Sequence, residues 1–268
     1  MKHGYQLCTR CVMDTSDPDI DFDEAGVCNH CRHFDSVTSQ QWHPDEVGAR
    51  IWASKMEEIR GAGKGKEYDC IIGLSGGVDS SYLALKLAEW DLRPLVVHVD
   101  GGWNSELATA NIESIVKHCG YDLHTVVIDW AEMRDLQLAY LKAGVANQDV
   151  PQDHAFFANL YKYAVKNGIN YILSGGNSAT EGITAEAWEG SAMDAINLRD
   201  IHQRYGTIPL RTYETIGFLD YYFVFPFLRG MRTLRPLNFM PYDKETAIET
   251  LEQIGWRSYG QKHEIQWP

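Results

Sequence analysis

The chain has 268 residues, 44% of them hydrophobic, enough for one substantial core and a small appended module. Its net charge of −13 and pI near 5.2 set it against a phosphate backbone unless one face gathers the 24 basic residues, so nucleic acid is an unfavoured partner. No run of about 18 apolar residues occurs and residues 1–10 lack the apolar core of a signal peptide, so neither a membrane-spanning helix nor export is expected and the location reads as cytoplasmic.

Six cysteines in that compartment point to metal or redox roles rather than disulfides. Four form Cys8-x2-Cys11 and Cys28-x2-Cys31, with sixteen residues between the pairs, the spacing of a zinc ribbon. Each Cys-x-x-Cys turn aims two thiolates at one cation, and four thiolates close a tetrahedral shell that leaves no position for substrate. A structural Zn2+ on Cys8, Cys11, Cys28 and Cys31 is therefore expected. Between the pairs, Asp14, Asp17, Pro18, Asp19, Asp21, Asp23 and Gly26 read as turns and a short hairpin around Ile20 and Phe22, with too little apolar surface to fold without metal. His30 and His33 read as solvent-exposed neighbours of the site rather than ligands. Residues 44–60 carry Val47, Ile51, Trp52, Met56 and Ile59 at helical spacing, and Gly61 to Lys66 read as a flexible break.

Residues 68–74 predict a strand and 79–90 a helix, joined by Ser75-Gly76-Gly77-Val78-Asp79-Ser80-Ser81. Two glycines at such a junction let the backbone turn sharply and present bare N–H groups to an anion, with the positive end of the helix dipole behind them. The segment lacks the lysine and spacing of a Walker loop and the G-x-G-x-x-G of a dinucleotide site. Its S-G-G-x-D-S spelling resembles the pyrophosphate loop of the PP-loop ATPases, which cleave ATP to AMP and pyrophosphate. That resemblance implies that Ser75, Gly76, Gly77, Asp79, Ser80 and Ser81 bind the nucleotide, with Ser75, Asp79 and Ser80 in the catalytic set.

Strand 94–99, helix 105–119, strand 123–128, helix 152–167 and strand 170–173 continue the alternation. The expected architecture is an α/β doubly wound parallel sheet with its ligand loops at the carboxyl ends of the strands. The last of these strands ends in a second glycine turn, Ser174-Gly175-Gly176-Asn177, followed by Glu181. The Gly175-to-Glu181 spacing resembles the Gly-Thr-x-x-x-x-Glu segment of ammonia-dependent NAD synthetases, in which this acid and the loop aspartate hold magnesium. It implies that Gly175 and Gly176 join the ATP site and that Asp79 and Glu181 hold Mg2+. The same likeness implies backbone groups of the Val97–Val99 stretch beside adenine. Beyond residue 188 the pattern is less regular, with 221–225 as a strand or a buried helix turn and 244–254 as a helix.

The opening run Cys8-Thr9-Arg10-Cys11-Val12-Met13-Asp14-Thr15-Ser16-Asp17-Pro18-Asp19-Ile20, together with Gln152-Asp153-His154-Ala155-Phe156-Phe157, Pro236-Leu237-Asn238 and Tyr242-Asp243-Lys244-Glu245, resembles the N-acetyl sugar amidotransferases of the PP-loop superfamily. The match runs over nearly the whole chain and implies an adenine nucleotide alpha hydrolase-like fold. It also implies conversion of a sugar N-acetyl group to acetamidino: ATP adenylates the amide oxygen and ammonia displaces AMP, in lipopolysaccharide O-antigen or nonulosonic acid biosynthesis. Implied partners are an N-acetylated nucleotide sugar and separate subunits, similar to the glutaminase and cyclase of histidine biosynthesis, that supply ammonia. Lys262 and His263 match a pair in that family and join the catalytic set. Family members extend past this pair, so the resemblance implies a shortened form or an acceptor lid outside the sequence. Val78 stands where many members have lysine.

His154, Asn159, Arg199, His202 and Arg204 are candidates for holding the sugar or its diphosphate, the guanidinium fork matching phosphate oxygens. The predicted organisation is a zinc-ribbon module over 1–40, a helix and linker over 41–66, and an ATP-binding domain with a C-terminal substrate region over 67–268. Two other functions stay open: a tRNA-thiolating enzyme, for which Cys70 and Cys119 read as core residues rather than sulfur carriers, and a truncated, non-catalytic nucleotide-binding module.

Overall fold

The computed structural model describes residues 4–183, 185 and 191–259. Among them, five parallel strands, β1 (Cys70–Gly73), β2 (Pro94–Asp100), β3 (Leu123–Val127), β4 (Tyr171–Leu173) and β5 (Arg232–Leu234), form one sheet in the order β3-β2-β1-β4-β5. Cys70, Ile71 and Ile72 are all buried, as a central strand covered on both faces requires. The winding reverses between β1 and β4, where a doubly wound sheet opens a crevice at the carboxyl ends of its strands.

One face is covered by α2 (Glu46–Ala62), α3 (Val78–Glu89), α4 (Glu106–Cys119) and α9 (Lys244–Glu252), whose Trp52, Ile59, Leu83, Leu87, Ile115 and Leu251 pack around Trp256. On the other, α6 (Val150–Lys166) sets Ala158, Leu160, Tyr161 and Ala164 against Ile71, Val97 and Ile172. Helices α5 (Trp130–Ala143) and α8 (Ala195–Tyr205) close that side through Met133, Leu136, Leu198 and Ile201. Caps set several boundaries. Asp45, Ser105 and Asp129 accept first-turn N–H groups, and Gly120 and Gly144 end α4 and α5 in the left-handed conformation.

One departure from the sequence reading has a physical cause. The glycine-rich stretch 61–66 is no flexible break, because Arg93 donates to the carbonyls of Lys66 and Gly63 while its fork also bridges Asp69. The expected helix is α2, and its Trp52 and Ile59 belong to the sheet's core. Of the two alternatives for residues 221–225 the helical one holds, within a wide-turn helix of i→i+5 type, Asp220–Leu228, though of the five Phe225 alone is buried. In the N-terminal module, single antiparallel bridges pair Leu7 with Asp14 and Phe22 with Cys28, and a short α1 (Asn29–Ser36) follows.

No helix among the described residues is long and apolar enough to cross a membrane.

Candidate ATP site and metal centre

The first glycine turn leaves β1 and enters α3 with Gly76 at φ +83°, a conformation that needs glycine; a Cβ there would also lie 2.6 Å from the Ala108 carbonyl oxygen. The Gly76 carbonyl turns away from the crevice and accepts from Trp256 Nε1 at 3.0 Å and from the Tyr259 hydroxyl at 3.3 Å. Because the two ends of a trans peptide point in opposite directions, this anchorage swings the Gly77 N–H to the other side, toward Ser75 Oγ at 3.4 Å. Gly77 caps α3 with no side-chain acceptor, so the first-turn amides keep their capacity for an anion. Ser75 and Ser80 hydroxyls lie 3.0 Å apart across the mouth of the loop.

The second turn comes to meet the first. A Cβ on Gly175 would stand 2.9 Å from the Asp79 carbonyl carbon and the Ser80 nitrogen, so only glycine lets β4 approach α3 this closely. Asn177 is fully buried; it caps α7 (Ser178–Glu181) through Thr180 N–H and reaches toward Asp79 with its amide at 3.5 Å. The Tyr242 hydroxyl donates to the same Asp79 oxygen. Asp79, Ser75, Ser80, Gly77, Gly175, Gly176 and Glu181 all line one cavity of about 370 Å3, walled by Phe156, Phe157, Tyr161 and Tyr221 and flanked by Arg235.

Burial and then the Asp79 charge raise the Glu181 carboxyl above its ordinary range, while the charges of Arg235 and Lys244 pull the other way. Two acids at one cavity whose charges oppose each other are a hard-oxygen pair that a divalent cation relieves, so Asp79 and Glu181 fit Mg2+. Sequence reasoning gave no site role to Arg235, Asn177, Tyr242 or the aromatic wall; Tyr242 and Asn177 reach Asp79 from positions far away in the chain.

Other expected site residues lie elsewhere. Ser81 is fully buried on α3 with its hydroxyl unpartnered, so its side chain packs behind the loop rather than binding nucleotide. Val97 is buried in the sheet, its carbonyl taken by the Leu74 N–H; neither it nor Val99 lines the cavity, which opens between β1 and β4 while β2 lies one strand further out. His154 is fully buried and spends both ring nitrogens internally, Nδ1 donating to the Ala192 carbonyl at 2.6 Å and Nε2 accepting from Ile216 N–H at 3.1 Å. Burial lowers its pKa, and it serves as a neutral post rather than a phosphate ligand. Asn159 donates to the Ala155 carbonyl of its own helix. Arg199, His202 and Arg204 sit on α8, outside both cavities: Arg199 donates to Thr215, Arg204 pairs with Asp200, and His202 bonds Asp135 at 3.0 Å. Lys262 and His263 lie outside the described residues.

Asp135 shows what holds that face together. Burial would raise its carboxyl, but Thr207 O–H and N–H, Ile208 N–H and His202 hold it at about 2. A folded-state value below the ordinary 3.8 contributes stability that is full above about pH 4 and lost as pH falls toward 2. Asp135→Asn is expected to cost about 2 kcal/mol at pH 7 and to flatten the fall in melting temperature between pH 4 and 2. Equal acid sensitivity of variant and parent in a thermal-melt series would refute this.

At the N-terminus the four cysteine sulfurs all lie within 4.8 Å of one another, with Cys8 to Cys31 at 4.0 Å and Cys11 to Cys28 at 3.6 Å. A tetrahedron of Zn–S bonds near 2.3 Å has edges of roughly 3.8 Å, so the set fits one zinc ion. Backbone N–H groups of Arg10, Cys28, Met13 and Cys31 point at Cys8, Cys11 and Cys28 sulfurs, stabilising thiolate charge. His30 is not a ligand; it bonds the buried Asp17 at 2.6 Å, partly buried rather than exposed as expected, and His33 is exposed.

Between this module and the sheet runs a groove of about 1610 Å3 that shares Glu181 and Arg235 with the first cavity. The Asp17, Asp19, His30 and His33 side lies on the module, and Asp149 and Asp153 face it from the start of α6. Burial and the Asp149 charge lift the Asp153 carboxyl to about 6, so it changes charge close to neutrality.

No protein-family model matches the chain, and no curated protein sequence is similar to it. Among solved structures the chain is similar to the NH3-dependent NAD synthetase of Campylobacter jejuni in complex with nitrate, at 14% identity over 77% of this chain and 85% of that one, with a TM-score of 0.38. It is similar to the U34-tRNA thiolase NcsA of Methanococcus maripaludis with its 4Fe-4S cluster, at 12% identity over 96% and 75%, TM-score 0.43. A third is the NMN synthetase of Francisella tularensis, at 16% identity over 82% and 98%, TM-score 0.37. These are likenesses in the course of the chain only.

Proposed function

We propose that the chain is an ATP-dependent amidotransferase that cleaves ATP to AMP and pyrophosphate and converts a sugar N-acetyl group to acetamidino. The observation that carries the nucleotide half is Gly175 lying against the first turn of α3, which brings two glycine turns and two acids to one cavity. The uncapped amides of α3 and the Ser75 and Ser80 hydroxyls take the phosphate oxygens. Asp79 and Glu181 hold Mg2+, which when bound draws charge off the departing pyrophosphate. The amide oxygen attacks the α-phosphate and pyrophosphate leaves; ammonia then adds to the adenylated carbon and AMP departs with that oxygen.

The acceptor half rests on the amidotransferase-like motifs and on the groove that meets the ATP cavity at Glu181 and Arg235. Ammonia comes from a separate glutaminase with its cyclase-like subunit. Sulfur transfer is disfavoured by the two remaining thiols. Cys70 is fully buried in β1, and burial raises the Cys119 thiol to about 11, so neither supplies a thiolate at neutral pH.

The test uses the chain with ATP, Mg2+, ammonium and a panel of N-acetylated nucleotide sugars whose amide oxygen carries 18O. Expected are AMP carrying the label, pyrophosphate, and a product about 1 Da lighter than the unlabelled acceptor. ADP as the nucleotide product, or a thiolated product from an added sulfur donor, would reject the reading.

A further inference from the structure

We propose that the wide-turn helix Asp220–Leu228, with the residues just before it, is the contact surface of a homodimer. The inference is independent of the reaction assigned above. This segment has two apolar faces. Inward, Tyr221 and Phe225 pack on Tyr161 at ring separations of 5.6 and 5.0 Å, and Tyr221 and Tyr161 both line the ATP cavity. Outward, Phe218 contacts Tyr222 at 4.7 Å and Phe223 at 6.1 Å, and Phe223 contacts Phe227 at 6.5 Å, so the rings form one continuous patch.

Phe218, Leu219, Tyr222, Phe223, Phe227 and Leu228 are 54, 68, 47, 51, 77 and 78% exposed. At roughly 200 Å2 per large apolar side chain this is on the order of 750 Å2 of apolar surface in one place. Monomeric proteins carry largest patches of about 300–600 Å2, and a stable pairwise interface covers about 800 Å2 on each partner. The exposed area therefore matches what a dimer needs without any other surface.

The area points to a second copy as the occupant, and the low charge of the patch permits it. Two chains of net charge −13 repel over most of their surfaces. Over 216–228 Asp220 is the sole Asp, Glu, Lys, Arg or His, so this face brings two copies together at little electrostatic cost. A two-fold axis through the patch sets the same aromatic ridge against itself. Because the segment's inner face is the cavity wall, dimerisation would fix Tyr221 and Phe225 against Tyr161 from outside.

The test is light scattering coupled to gel filtration on the chain at about 50 µM, far above the dissociation constant such an interface gives. The expected mass is twice the 30.4 kDa of one chain. Phe223→Glu/Phe227→Glu, at two exposed positions whose change spares the core, is expected to elute as a monomer with an unaltered melting temperature. Ile196→Glu, at a 73% exposed position on α8, is expected to stay dimeric. A monomeric parent chain overturns the proposal, whether or not it then sediments with phosphatidylcholine vesicles, and so does a dimer that survives the double substitution.

Discussion

Asp79→Asn is expected to lower AMP-forming turnover by at least about a hundredfold with the fold intact. The amide keeps the size of the carboxylate and one oxygen to accept from Tyr242 and Asn177, so the contacts that tie α3 to the starts of α7 and α9 persist. What disappears is a charge. Burial and the Asp79 charge raise the Glu181 carboxyl, so removing that charge returns Glu181 toward its ordinary range and relieves repulsion in the apo protein. The melting temperature without Mg2+ should accordingly stay level or rise slightly, while Mg2+-dependent stabilisation by ATP shrinks. Turnover and melting thus move in opposite directions, a signature that general misfolding does not produce. An Asp79→Asn protein with near-parental turnover would remove Asp79 from the metal site.

The second large effect concerns the cysteines. One zinc per chain is expected by elemental mass spectrometry, and Cys28→Ser should abolish it, since Cys28 is fully buried with its sulfur 3.6 Å from that of Cys11. Among the described residues the module's apolar content beyond the cysteines is small: Met13 and Ala185 are the buried apolar side chains packed with them, and Ile20, Phe22, Val27 and Ile183 flank them. Binding energies of about 10–16 kcal/mol for such sites far exceed what that contact supplies, so the module should unfold when stripped. Among the described residues the proposed ATP cavity contains none of the module's, whereas one side of the acidic groove is built from them. ATP binding should therefore outlast zinc removal and acceptor-dependent turnover should not. Retained acceptor turnover in a zinc-free chain would show that the groove is not the acceptor's route.

The parts legible in the sequence were those written in short range. Ser75 to Asp79 and Gly175 to Glu181 each run from the end of a strand into a helix, and Cys8-x2-Cys11 and Cys28-x2-Cys31 fold their thiolates inward locally. Residues whose role depends on a distant neighbour were not legible. His154, Arg199, His202 and Arg204 have the chemistry of a phosphate site, yet Ala192, Thr215, Asp135 and Asp200 claim them. Trp256, which no local motif marks, holds the Gly76 carbonyl across 180 residues. The short β5 carries Arg232 and Thr233 at a sheet edge, where little burial leaves no apolar run to find. Helix α5 went unassigned although Met133, Leu136, Ala139 and Tyr140 keep helical spacing, because Glu132 and Asp135, both buried on loop N–H groups, break the apolar stripe.

The most direct measurement is a crystal structure of the chain with α,β-methylene-ATP and Mg2+. The expected result is a triphosphate lying across Gly77–Ser80 and Gly175–Gly176, with the metal on Asp79 and Glu181 and the α-phosphate open toward the groove at Arg235. A nucleotide bound away from the two glycine turns, or a metal that touches neither acid, would contradict the assignment of this crevice as the ATP site.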